Sequence, residues 1–96
     1  MAYGIVHYFP GGNQAQYEAS IAAVHPGRDI PPKGQIFHAA GQSEGGWTIM
    51  VVHDSKESWE KFRDEILMPR MRQGIVGGFP TPPEERTFEV HHLLHK

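Results

Sequence analysis

Gln35-Ile36-Phe37-His38-Ala39-Ala40-Gly41-Gln42 and Trp47-Thr48-Ile49-Met50-Val51-Val52-His53-Asp54, joined by Ser43-Glu44-Gly45-Gly46, form the stretch on which the fold of this chain turns. Both arms have strand composition, and the paired glycines permit the positive φ that a tight hairpin turn demands. With a loop of two or four residues, Gln42 faces Trp47, His38 faces Val51 and Ile36 faces His53. On that register His38 and His53 are diagonal neighbours on one face of the hairpin, together with Trp47.

Working outward toward the amino terminus, Tyr3 to Phe9 is rich in β-branched and aromatic residues and is cut off by Pro10-Gly11-Gly12, which predicts a first strand. Asn13 can cap a helix to about His25, with Tyr17, Ile21 and Val24 on one face and Pro26-Gly27 as the stop. Gly27 to Lys33 lacks periodicity and reads as an extended connection. Beyond the hairpin, Asp54 or Ser55 can cap a second helix over residues 55 to 72, Glu57 standing at capping-box distance from Asp54. Trp59, Phe62 and Ile66 mark its buried stripe, Glu57 with Lys61 and Glu60 with Arg63 its wet face. Pro69 is expected to kink or break it, leaving Arg70 to Gln73 as a frayed turn. After a glycine- and proline-rich loop from Gly77 to Pro83, Phe88, Val90 and Leu94 alternate around His92 and predict a last strand over Arg86 to Leu94.

The order βαββαβ is most economically an α+β, ferredoxin-like four-stranded antiparallel sheet with both helices on one face. The other face, with Phe37, Ala39, Thr48, Met50 and Val52, is too apolar to face water. A second copy is its simplest cover, and two such sheets stacked face to face make a barrel, so a homodimer is expected.

At 96 residues the chain is expected to be one domain over 1–96, and with 39% hydrophobic residues it can build a core. Nine Lys plus Arg against eleven Asp plus Glu provide no basic field for nucleic acid. No apolar run approaches the roughly 18 to 20 residues that span a bilayer, and the amino-terminal stretch does not resemble a signal peptide, so a cytoplasmic protein without membrane association is expected. Zero cysteines exclude disulfides, thiolate nucleophiles, iron–sulfur clusters and Cys-based zinc sites. Seven histidines are the conspicuous remainder.

Three segments, His38 to Trp47, Asp54 to Phe62 and Val90-His91-His92-Leu93-Leu94, resemble a group of small stand-alone bacterial proteins of the dimeric α+β-barrel superfamily. The resemblance spans nearly the whole chain. The superfamily includes antibiotic-biosynthesis monooxygenase-like domains, polyketide cyclases, muconolactone isomerase and haem-degrading oxygenases, so what it implies first is the fold. It also implies a ligand held inside each subunit between helices and sheet. Where the close group tends to carry an acidic residue, a Trp and an Asn, this chain has Val51, His53 and His92.

His7 falls on the side of Ile5 and Phe9, and if that side also meets the helices, His7, His38 and His53 converge under Trp59, Phe62 and Tyr17. Near neutrality such imidazoles can abstract a substrate proton or hold an oxyanion. His53, at a strand end beside a helix start, is expected to line the pocket mouth and titrate near neutrality. Each of the three equally fits a buried or edge histidine hydrogen-bonded to a neighbour. Trp47, Trp59, Phe62 and Tyr17 suit either a substrate platform or the core.

His91, His92 and His95 do not make a metal site, because alternation sends His92 to the opposite face and the other two stand roughly 13 Å apart along an extended strand. No metal is expected. Gly45-Gly46 and Gly77-Gly78 open no helix in a strand–loop–helix unit, so they are turn glycines and not phosphate cradles. No Gly-x-Ser-x-Gly elbow occurs, which argues against a serine nucleophile. A haem-degrading variant is a third, weaker reading, since a histidine on the second helix would be the natural axial ligand and Ser55 to Gln73 contains none.

Two functional classes remain. One is a small cofactor-independent enzyme, a monooxygenase, cyclase or isomerase, acting on an aromatic or polyketide-like compound, with His7, His38 or His53 handling protons and Trp47 and Trp59 stacking on the substrate. The other is a binding or sensing module with the same pocket and no turnover.

Overall fold

The computed structural model describes residues 1–94. His95, one of the three carboxy-terminal histidines considered above, lies outside the described residues. The elements run β1 (Tyr3–Pro10), α1 (Gln14–Val24), β2 (Gln35–Ser43), β3 (Gly46–His53), α2 (Lys56–Phe62), a π-helical turn (Arg63–Leu67), α3 (Met68–Gln73) and β4 (Glu84–Glu89). The strands form one antiparallel sheet in the order β2-β3-β1-β4, the α+β, ferredoxin-like arrangement expected from the element order.

Local chemistry explains the element ends. Asn13 and Gln16 satisfy each other's backbone N–H groups in a capping box that starts α1. That helix stops at Val24 because His25 precedes Pro26 and is driven to an extended conformation. Of the two candidate caps of the second helix it is Ser55 that acts, its Oγ accepting from the Ser58 N–H at 3.0 Å. The hairpin closes through Glu44 and Gly45, and Gly45 has the positive φ of 75° that the turn requires. Gly46 is held to glycine for a second reason: a Cβ there would run into the backbone carbonyl of Phe9.

The helix-facing side of the sheet carries Ile5 and Val51, which pack with Val24 of α1 and Trp59 and Phe62 of α2 into the core, flanked by Tyr3, Ala23, Ile49, Leu67 and Ile75. The outer side carries Gly4, Val6, Tyr8, Thr48, Met50 and Val52, their register partners lying on the same side. Val52, expected to lie in an open interface, is only 4% exposed. The Phe88 ring lies over neighbouring Gly4, in the space a Cβ would occupy. Met50 and Phe88, 43% and 46% exposed, are large apolar residues left open on this side.

Four expectations are corrected. A β-bulge between Gln35 and Phe37 sets Gln35, and not Ile36, opposite His53, while Gln42 opposite Trp47 and His38 opposite Val51 hold. A bulge adds one residue to one strand, so the pairing count fails only beyond it. Ile66 is 38% exposed and Leu67 takes its place against the core. The cause is the π turn, in which the Met68 N–H donates to Arg63 O five residues back, so that the residue five beyond Phe62 returns to the inner face. Pro69 therefore does not end the helix but falls in the first turn of α3, where no N–H is needed. Finally, β4 begins at Glu84 and ends at Glu89, so His91 and His92 follow the strand and do not alternate within it. Pairing stops where the partner strand does, with the Val90 N–H donating to Ala2 O.

Candidate functional site

Between the helix-facing side of the sheet, the helices and the Gly74 to Pro83 segment lies a cavity of about 530 Å³. Its walls are apolar and aromatic, from Phe9 and Ile5 of β1, Ile21 and Val24 of α1, Trp59 and Phe62 of α2, and Phe79. Phe79 is held there by stacking on Phe9 at 3.7 Å between ring centroids and by its N–H donating to Ser20 Oγ. The polar groups lining the interior include His7, His25, Gln35 and His38.

Of the histidines anticipated as proton carriers, His7, at the centre of β1, retains an available nitrogen. Its Nε2 lies 2.8 Å from Glu85 Oε2 of β4, while its ring touches the edges of Phe9 and Trp59 with centroids 6.2 and 5.8 Å away. His38 also lines the cavity, but both its nitrogens are engaged. Nδ1–H donates to Gln35 Oε1 at 2.9 Å, and the Tyr17 hydroxyl donates to Nε2 at 2.7 Å. Burial holds His38 below the ordinary imidazole range, which keeps it neutral and fixes this donor order. Burial likewise raises the Tyr17 hydroxyl, with the Glu18 charge adding to it.

His53 departs from its expected place. It shares the helix-facing side with His38 and Trp47, as the register requires, yet it is 0% exposed and does not line the cavity. The rings of Trp59 and Phe62 cover it at 5.7 and 5.9 Å. Ser58 Oγ donates to Lys33 O and so accepts from His53 Nδ1–H, leaving Nε2 sealed without a partner. Burial lowers its pKa, with Asp54 opposing, and with its ring fully buried His53 is a core residue and not a group at the pocket mouth.

Among the aromatics, Trp59 and Phe62 line the cavity. Tyr17 and Trp47 do not. Tyr17 borders a neighbouring cleft of about 320 Å³ beside Arg28 and Asp29. Trp47, 7% exposed, packs against Tyr17 at 5.3 Å with its indole N–H buried and unpartnered, which makes it a core residue.

Sequence reasoning missed His25, Gln35 and Phe79. His25 borders both the cavity and the cleft, and burial together with neighbouring His38 pushes its pKa down to about 4. The helical stripe Tyr17, Ile21 points four residues on to His25, so that signal was present. Phe79 sits in an aperiodic loop and gave no signal. Among the described residues no three His, Asp or Glu side chains converge in a way that could hold a metal ion. No helix among them is long and apolar enough to cross a membrane.

No protein-family model and no curated protein matches the chain. Solved structures do. Rv0793 from Mycobacterium tuberculosis is similar over 99% of this chain and 100% of its own, with a TM-score of 0.70 at 13% identity. A Bordetella bronchiseptica protein named as a candidate antibiotic biosynthesis monooxygenase is similar over 93% of this chain and 96% of its own, with a TM-score of 0.62 at 16% identity. The chain thus shares the α+β, ferredoxin-like fold of these two structures.

Proposed function

We propose that the protein is a small cofactor-independent enzyme of the antibiotic-biosynthesis-monooxygenase-like type, acting on an aromatic or polyketide-like molecule held between sheet and helices. The observation that carries this reading is the about 530 Å³ cavity with Trp59, Phe62, Phe9 and Phe79 in its walls and His7 among its few polar groups. A site of that size suits a drug-sized ligand, and aromatic walls with sparse polar groups favour a flat apolar body carrying one or two oxygens. The name of the Bordetella bronchiseptica protein points the same way.

Incubation with hydroxynaphthalenes and linear poly-β-ketones, followed by mass spectrometry, separates the chemistries. Gain of an oxygen marks a monooxygenase, loss of water a cyclase, and rearrangement without mass change an isomerase. His7→Phe is expected to lower turnover by about 10²-fold to 10⁴-fold, the range for loss of a general acid or base. Undiminished turnover in that variant would remove His7 from the chemistry. A non-catalytic binding or sensing module is favoured by one observation, that His38 and His53 are committed to internal contacts. Saturable binding of aromatics with no product from any of these compounds would establish that alternative.

The same proposal includes a homodimer through the outer side of the sheet, where Met50 and Phe88 are exposed. Met50→Asp would place an unpaired charge in a dry interface, at a cost of several kcal/mol, and is expected to halve the mass seen in sedimentation. A folded monomer for the unaltered protein would refute the dimer.

A further inference from the structure

His7 and Glu85 are register partners on the adjacent strands β1 and β4, so their side chains leave the sheet on the same, helix-facing side. The His7 side chain is 12% exposed and that of Glu85 42%. A carboxylate only accepts, so the 2.8 Å contact requires the proton to sit on His7 Nε2, which donates to Glu85. With the Nε2 proton so placed, the lone pair of the imidazole base form belongs to Nδ1, which has no hydrogen-bond partner among the described residues and is not among their sealed, unsatisfied atoms. The rings of Phe9 and Trp59, which line the cavity with His7, meet its ring in edge-type contacts.

None of the other cavity or core histidines has this combination. His38 spends both nitrogens on Tyr17 and Gln35, His53 is sealed, and His25 has His38 as its neighbour in place of a carboxylate. Glu85 itself stands outside the cavity on the edge strand, with Arg63 of the π turn close enough to feel its charge. The arrangement is that of an oriented base, in which the outer partner fixes the tautomer and faces the charge that develops on the ring.

We propose that Glu85 is a positioning residue that presents His7 Nδ1 to the cavity as a general base, and that the substrate is a weak oxygen or carbon acid: a phenol, an enol, or a C–H flanked by two carbonyls. This rests on the reading of the cavity as the site of chemistry. In the step itself the proton of the substrate O–H or C–H passes to Nδ1. The electron pair of that bond stays on the substrate as phenolate or enolate, and the imidazolium is balanced by Glu85. No redox change is involved, so the step serves oxygenation, cyclisation or isomerisation alike.

The test uses two probes on the 96-residue chain, anthraquinone, which cannot ionise, and 1,4-dihydroxyanthraquinone, whose colour reports ionisation. Quenching of tryptophan fluorescence by anthraquinone reports occupancy of the cavity. Wild type is expected to raise the ionised fraction of the bound dihydroxy probe near neutral pH, and Glu85→Gln to reduce that gain by about tenfold, the scale of one charge-assisted hydrogen bond. Glu85→Asp should restore part of it, which a merely structural role for Glu85 would not do. Nitrogen NMR of ¹⁵N-histidine-labelled protein should find His7 as the Nε2–H tautomer in wild type and mixed in Glu85→Gln. Equal ionisation of the probe by wild type and Glu85→Gln, or an Nδ1–H tautomer in wild type, would overturn the inference while leaving the cavity reading intact. Failure of anthraquinone to bind wild type would overturn both.

Discussion

Replacing Trp59 with Ala is expected to lower the stability of the protein by about 3–5 kcal/mol, the range for truncating a large buried aromatic. Trp59 is 3% exposed and is the common neighbour of His7, His53 and Phe62, with ring centroids 5.8, 5.7 and 6.2 Å away. Its removal merges the space it occupied with the existing cavity, so collapse cannot easily refill it. A small domain is stable by only about 5–15 kcal/mol, and the variant should therefore unfold at a much lower urea concentration or purify partly unfolded. Trp59→Phe, which keeps a ring against His53, should lose less than half as much. A loss below about 1 kcal/mol for Trp59→Ala would mean that the ring does not hold sheet and helix together.

Acid is expected to start destabilising the protein before its carboxylates protonate. Burial holds His25, His38 and His53 below the ordinary histidine value, His25 at about 4. In the unfolded chain the same groups titrate near about 6.5. Above that pH they are neutral in both states and stability does not depend on them. As the pH falls below it, the unfolded chain takes up protons that the folded chain refuses, so stability is lost between about 6.5 and the depressed folded values. Each refused proton costs at most about 1.4 kcal/mol per pH unit, less for the half-buried His25 and His38, where solvent relaxes part of the penalty. The His25 and His38 rings lie 5.3 Å apart at right angles, so charging one further opposes charging the other. Urea midpoints at about pH 7, 6 and 5 should fall in steps, and His25→Gln should flatten the slope. A midpoint independent of pH over that interval would show that these imidazoles are not held neutral by the fold.

How the chain reads along its length depends on the distance over which each feature is decided. The βαββαβ order, the Asn13 cap, the Tyr17, Ile21, Val24 face and the register of Trp47 against Gln42 follow from residues within a few positions of one another. Hydrophobic period, turn glycines and capping side chains are properties of neighbours, and neighbours are what a sequence displays. The same local logic broke at two single-residue insertions. The bulge at Ile36 and the π turn before Pro69 each shift the count by one, moving Gln35 opposite His53 and Leu67 into the place of Ile66.

The candidate site was legible only in part, and for the same reason. Alternation correctly set His7, His38 and His53 on the side of the sheet that faces the helices. What each imidazole can do depends on the partner of each ring nitrogen, and those partners come from remote segments: Glu85, 78 residues from His7, and Tyr17, 21 residues from His38. His53 lost its expected role because Trp59 and Phe62, placed by the Ser55 cap and the course of α2, close over it. The sequence by itself determined the elements, their order and the face on which each histidine stands, since those are set by backbone periodicity. Only the tertiary structure decided which histidine keeps an open nitrogen and which are sealed, because a lone pair is free or engaged according to what packing brings within about 3 Å of it.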